Sequence, residues 1–229
     1  MPGPSAIPWL QNLNALAGGL FLLATFGMVA TRQALGCLRL FIAQSACLVL
    51  SAFLLGMLDH SWDLMVVGVV DLAIKVFVNP WLLRRSLGRE VYTRREITQA
   101  LNVPATLLIA LALALTGYFL AQPLLAVTGG ADIGLNLPIG LAGLLIGTFT
   151  ATVRREAVPL FLGLLATENS AFFAGLAVAP AMPLMAEVAI AFDVMILVFV
   201  VGILTRLVHE RIGTTEVGAL TALREEPKA

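Results

Sequence analysis

Charge is scarce in this chain. Asp, Glu, Lys and Arg make up 12% of its 229 residues, against about 25% in a soluble domain, so polar side chains cannot cover a water-facing globule. Cysteine and histidine are rarer, with two of each. Cys37 and Cys47 stand in apolar sequence with no C-x-x-C spacing and no histidine nearby. That argues against a zinc site or an iron–sulfur cluster and leaves packing as their role. No P-loop, G-x-G-x-x-G or Ser/His/Asp set occurs, so no catalytic, cofactor-binding or metal-binding machinery is expected. No Lys or Arg precedes Arg32, whereas a cleavable signal needs a positive n-region, so the first apolar segment is not expected to be one.

What the chain has in excess is apolar length. Hydrophobic residues make up 59% of it, and its mean hydropathy is +0.96. A membrane span needs about 20 mostly apolar residues. Seven segments qualify: 13–30, 34–58, 64–83, 103–120, 133–152, 158–178 and 183–207. The breaks carry turn chemistry or charge, at Asp59 to Asp63, in the arginine-rich run 84–96, at Gly129-Gly130-Ala131-Asp132 and at 180–183. With the N-terminus outside, 13 of the 14 Lys and Arg fall on the cytoplasmic side, and the remaining Lys75 lies within a span. Positive residues favour the cytoplasmic side. The expected fold is all-α, a polytopic membrane protein of about seven transmembrane helices, N-out and C-in.

An internal repeat adds to this. VVDLAIKVFVNPWLLRR from Val69 aligns with AFDVMILVFVVGILTRL from Ala191, setting Asp71 on Asp193 and Arg84 on Arg206. Upstream, Gln44 falls opposite Glu168. Helices one to three thus echo five to seven as two parallel three-helix repeats. Glu168 lies 13 residues after Arg155, Asp193 and Asp71 lie 13 before Arg206 and Arg84, and Gln44 lies 12 after Arg32. At 1.5 Å per residue that is about 20 Å from each cytoplasmic anchor, within a hydrocarbon core of about 30 Å. Four polar side chains on four helices are therefore expected at one level, as a lateral polar layer.

An acid at that depth costs about 2.5–3.5 kcal/mol on insertion scales and is by default a functional candidate. Desolvation penalises the ionised form of a carboxyl, a property suited to a group that loads and releases protons. The candidate proton-relay residues are Glu168, Asp193, Asp71, Lys75, Glu187 and Gln44. Asp71 and Lys75 are i,i+4 and share a helix face. Asn79-Pro80 follows one turn on and is expected to kink that helix. Glu187 enters its helix from the outer side, where snorkelling explains it equally well. Gly140, Gly143 and Gly147 form a packing stripe that includes a G-x-x-x-G. His60 and His209 lie at opposite faces, and Trp9, Trp62 and Trp81 suit interfacial anchoring.

From about residue 133 to 211 the chain resembles the three-helix K subunit of bacterial complex I and the C subunit of multisubunit sodium/proton antiporters. The resemblance rests on Arg154-Arg155 closing the first helix, on G-L-L-A-T-E-N-S-A at 163–171 in place of Gly-Leu-Glu…Asn, and on an acid in the third helix ahead of a basic end. The whole chain resembles component E of hydrogenase-4 and formate-hydrogenlyase-type complexes, the group 4 [NiFe]-hydrogenases. That resemblance implies units at 1–95 (a degenerate repeat), 96–130 (a linking helix and outer loop), 131–211 (the K-like unit) and 212–229 (a cytoplasmic tail). It also implies a bacterial inner membrane and, as partners, antiporter-like and quinone-side-module-like subunits with hydrogenase subunits beyond them. Glu168 and Asp193 would then stand where the K subunit carries its two membrane glutamates. The family's third-helix Glu is Asp here, with Glu187 as its rival, and Gln44 replaces an acid. A cation/proton antiporter subunit without a redox partner, and a scaffold whose polar layer is interhelical glue, are the alternatives.

Overall fold

Within a bilayer every backbone N–H and C=O must be satisfied inside its own segment, so long apolar runs favour helix over any open strand. A computed structural model describes residues 6–58, 62–78, 80–81, 101–128, 136–154 and 157–178, with Met195 and Gly202. The elements are α1 (Ala6–Ala30), α2 (Ala34–Leu58), α3 (Trp62–Asp71), a π-helical segment continuing it (Leu72–Val78), α4 (Val103–Thr128), α5 (Asn136–Val153) and α6 (Ala157–Val178). No strand occurs among the described residues. Among the described residues, five helices are long and apolar enough to cross a membrane: α1, α2, α4, α5 and α6. That is the build of an integral membrane protein. Apart from Met195 and Gly202, the expected last span at 183–207, with Glu187 and Asp193, lies outside the described residues, as do the arginine-rich run 84–96, His60 and His209.

Several boundaries differ from the sequence expectation for physical reasons. α1 begins at Ala6 rather than at 13, with Pro8 in its first turn, where a missing N–H has no intrahelical partner to lose. α4 runs past the expected end at 120 to Thr128 and contains Pro123, a residue that spanning helices tolerate more readily than soluble ones. The third span changes from α to π at Leu72. Pro80 has no N–H for the carbonyl four residues back, and its ring crowds that oxygen. The wider π turn just upstream relieves that clash.

Short connections make antiparallel neighbours. α1 packs on α2 and α5 on α6, and the two pairs meet through α1–α5 and α2–α6. Where the four helices meet, Phe21 of α1 stacks on Phe173 of α6 with ring centroids 4.5 Å apart. Leu48, Ala52 and Leu55 of α2 close around that pair. A second cluster joins Met28 to Cys37, Leu38 and Phe41 and to Phe161, Leu162, Leu165 and Ala166. Cys37 is buried and free, and Cys47 is half-buried and free, as packing residues should be. α4 leans on α5 and α1, and α3 leans on α2. Trp9, Trp62 and Trp81 are exposed, as anchors at a membrane interface should be.

The α5–α6 seam depends on small residues. A Cβ at Gly140 would collide with the backbone of Ala174, and one at Gly147 would stand 2.8 Å from Thr167 N. These contacts are backbone, which cannot swing away as a side chain can. Gly140→Val is expected to cost at least the about 1–3 kcal/mol of an overpacked core. At about 2–4 °C per kcal/mol for a chain of this size, its thermal midpoint in detergent should drop measurably. Gly19→Ala, where an added Cβ meets nothing within 4 Å, should leave the midpoint unchanged. Equal midpoints for the two variants would remove the close approach as a constraint.

Candidate functional site

Three of the ionisable residues singled out in the sequence meet between the π segment and α6. Lys75 Nζ lies 2.7 Å from Glu168 Oε1 and 3.6 Å from Asp71 Oδ1. The side chains of Lys75, Asp71 and Glu168 are only 3%, 6% and 19% exposed. The ammonium also sits 5.3 Å from the centre of the Phe172 ring, close enough for a cation–π attraction. Asp71 closes α3 and Lys75 sits in the wider π turn, an element often found at functional sites. The i,i+4 spacing holds these two together, and α6 brings Glu168 from a distant part of the chain.

Two carboxylates share one ammonium here. With all three groups ionised the cluster carries one net negative charge, and an uncompensated buried charge is strongly unfavourable. One proton on either carboxyl makes the cluster neutral. Buried oxygens are free to take it: Asp71 Oδ2 and Glu168 Oε2 have no hydrogen-bond partner among the described residues. The arrangement therefore suits the holding and release of a single proton. No group of three or more His, Cys, Asp or Glu able to hold a metal occurs among the described residues.

Beside this cluster runs a ladder of neutral hydrogen bonds. Asn169, next to Glu168 on α6, donates through Nδ2 to Ser45 Oγ at 2.8 Å and, more weakly, to Gln44 Oε1 at 3.5 Å. Gln44 Nε2 donates to Thr25 Oγ1 at 2.8 Å, and Thr25 donates on to the Phe21 carbonyl at 2.9 Å. These bonds link α6 through α2 to α1, and the ionisable cluster adjoins them only at the neighbouring positions Glu168 and Asn169. Gln44 belongs to this ladder, with Asn169 rather than Glu168 as its direct neighbour. Asp193 and Glu187 lie outside the described residues.

Two features escaped the sequence reading. Asn14, Ser51 and Asn136 form a closed ring across α1, α2 and α5. Asn14 Nδ2 donates to Asn136 Oδ1 at 2.9 Å, Asn136 Nδ2 to Ser51 Oγ at 3.1 Å, and Ser51 Oγ to Asn14 Oδ1 at 2.6 Å. Asn14 and Asn136 are 122 positions apart, the same offset as Asp71 and Asp193, a signal that an alignment by charge passes over. Arg154, expected as a cytoplasmic anchor, is buried. Its Nη2 donates to the carbonyls of Met28, Val29 and Thr31 at 2.7, 3.0 and 2.9 Å. It caps the C-terminus of α1, where carbonyls lack helical partners and a positive charge meets the negative end of the helix dipole.

The chain is 33% identical over 209 residues to the uncharacterized Mycobacterium tuberculosis protein Rv0085, an alignment that covers 91% of this chain and 94% of that protein. No protein-family model matches the chain, and no solved structure does.

The closed ring makes a non-additive prediction. Asn136→Leu leaves Asn14 Nδ2 without its acceptor and Ser51 Oγ without its donor, while Ser51 still donates to Asn14 Oδ1. A buried polar group left unpaired costs up to about 1–3 kcal/mol, and hydrogen bonds between spanning helices average nearer 0.6 kcal/mol. The triple variant Asn14→Leu, Ser51→Ala, Asn136→Leu removes every polar member at once and should unfold at a higher temperature than the single variant. Thermal unfolding in detergent measures both. A triple variant that loses the sum of three separate effects would mean that the residues act independently.

Proposed function

The chain belongs to the same protein family as the mycobacterial protein Rv0085, and from its buried ionisable cluster, together with its motif resemblance to component E of hydrogenase-4, we propose that it is a non-catalytic integral subunit of a membrane-bound redox complex of that type. In this reading the subunit sits in a bacterial cytoplasmic membrane, N-terminus out. It lies between antiporter-like subunits and a quinone-side-type module, with hydrogenase subunits beyond. Its task is to carry protons laterally, so that electron transfer drives ion movement. Moving one charge against 100 mV takes about 2.3 kcal/mol, which a redox step supplies.

The observation that carries this reading is the Asp71–Lys75–Glu168 cluster, which joins two helices by 3.6 and 2.7 Å contacts and is neutral only with one added proton. A buried acid pair bridged by an ammonium is expensive to build for anchoring alone. The repeat supports the same reading. Asn14 and Asn136, at the offset of 122 that relates Asp71 to Asp193, hydrogen-bond one another, as matching positions do where two parallel copies face across an axis. By that correspondence in the sequence, Asp193 is a further proton carrier in this reading, with Glu187 as its rival.

Glu168→Gln keeps the size of the side chain and removes its titration. In vesicles containing the assembled complex, redox turnover should continue while proton pumping falls to background. Unchanged pumping in a normally assembled complex would take Glu168 out of the path. Affinity purification of the full complex followed by mass spectrometry separates the two transport readings: redox subunits should accompany this chain, whereas a stand-alone antiporter would bring none.

A further inference from the structure

An ammonium set between two carboxylates has the geometry of a bound monovalent cation. Lys75 Nζ is 2.7 Å from Glu168 Oε1 and 3.6 Å from Asp71 Oδ1. Each carboxylate keeps its second oxygen buried, without a hydrogen-bond partner among the described residues. Carboxylate and amide oxygens are the donors that hard cations select. With the ammonium taken away, these carboxylate oxygens would be donors of the kind an alkali cation selects.

A proton and a sodium ion make different demands on such a site. A proton needs one free oxygen, and Asp71 Oδ2 or Glu168 Oε2 provides it. A sodium ion needs several oxygens at once and the volume between them, and that volume holds the Lys75 ammonium. Like charges a few ångström apart repel strongly where water is excluded, so the two cations cannot share the place. The tether is held from both sides, by Asp71 on its own helix and by Glu168 from α6, and its stem is buried.

We propose that Lys75 is the specificity-determining residue of this site: its ammonium fills the position of an alkali cation between Asp71 and Glu168, so the native cluster exchanges protons and shuts out Na+. Loss of the side chain should uncover a sodium site. This rests on the proton-carrying reading of Glu168 for its meaning in the cell, but the binding it foresees is measured separately.

The experiment compares the purified full-length chain with Lys75→Ala by thermal unfolding in NaCl and in choline chloride at equal ionic strength. A cation that binds only the folded state raises the midpoint in a saturable way. The wild-type midpoint should be the same in both salts. That of Lys75→Ala should rise with NaCl by several degrees and saturate, and the rise should vanish in Lys75→Ala/Glu168→Gln. A Lys75→Ala protein that folds in NaCl and not in choline chloride is the same result in stronger form. A wild-type protein stabilised by NaCl as much as the variant would overturn the proposal. So would a Lys75→Ala protein indifferent to the salt, whether folded or unfolded in both. Retained proton pumping in Glu168→Gln beside a sodium-stabilised Lys75→Ala would retire the proton path and keep the cation site.

Discussion

Two carboxylates cannot be left uncompensated in the middle of an apolar helix bundle, and the ammonium of Lys75 is the contact that makes Asp71 and Glu168 tolerable there. The desolvation of each ion costs several kcal/mol, and only close, well-placed opposite charge recovers it. The rest of the bundle serves that placement. Glu168 rides on α6, whose position is set by the small-residue seam along α5. α6 is tied to α2 by Asn169 with Ser45 and Gln44. Lys75 rides on a π turn that follows Asp71 directly.

The polar groups of the bundle fall into two chemical kinds. The Asp71–Lys75–Glu168 cluster is ionisable, and its charge changes by one unit with one proton. The amide ladder from Asn169 to Thr25 and the closed Asn14–Ser51–Asn136 ring are neutral at every physiological pH. Amide and hydroxyl groups orient one another, and in an apolar medium they bind helices together because their alternative is an unsatisfied dipole. Arg154 belongs to neither kind: its charge is spent on the carbonyls at the end of α1. The ionisable cluster and the amide ladder adjoin at Glu168 and Asn169, while the Asn14–Ser51–Asn136 ring lies about 16 Å away along α1, 11 residues from Thr25.

Much of the helical build is legible in the sequence. Apolar runs of spanning length become helices because a bilayer offers the backbone no other partner, and α2, α5 and α6 lie where their runs lie. The ends were harder to read. Pro8 and Pro123 lie within unbroken α-helix, whereas Pro80 follows a π segment, since the effect of a proline depends on which carbonyl it deprives and what lies near. Glu168, Asp71 and Lys75 stood out because charge in such sequence is costly, whatever its neighbours. Arg154 stands out for the same reason, but a residue beside a loop gives no hint that another helix ends against it.

The sequence by itself determined that the chain is helical and apolar enough to cross a membrane, and which few side chains are too polar to be ordinary core. Periodicity and transfer cost are local quantities, summed along one segment. Which polar group meets which was decided only in three dimensions: Glu168 against Lys75, Gln44 against Asn169, Asn14 against Asn136, Arg154 against the end of α1. Those pairings join residues up to 126 positions apart, and hydrogen-bond and Coulomb energies depend on distances of an ångström or less, which no pattern along the chain contains.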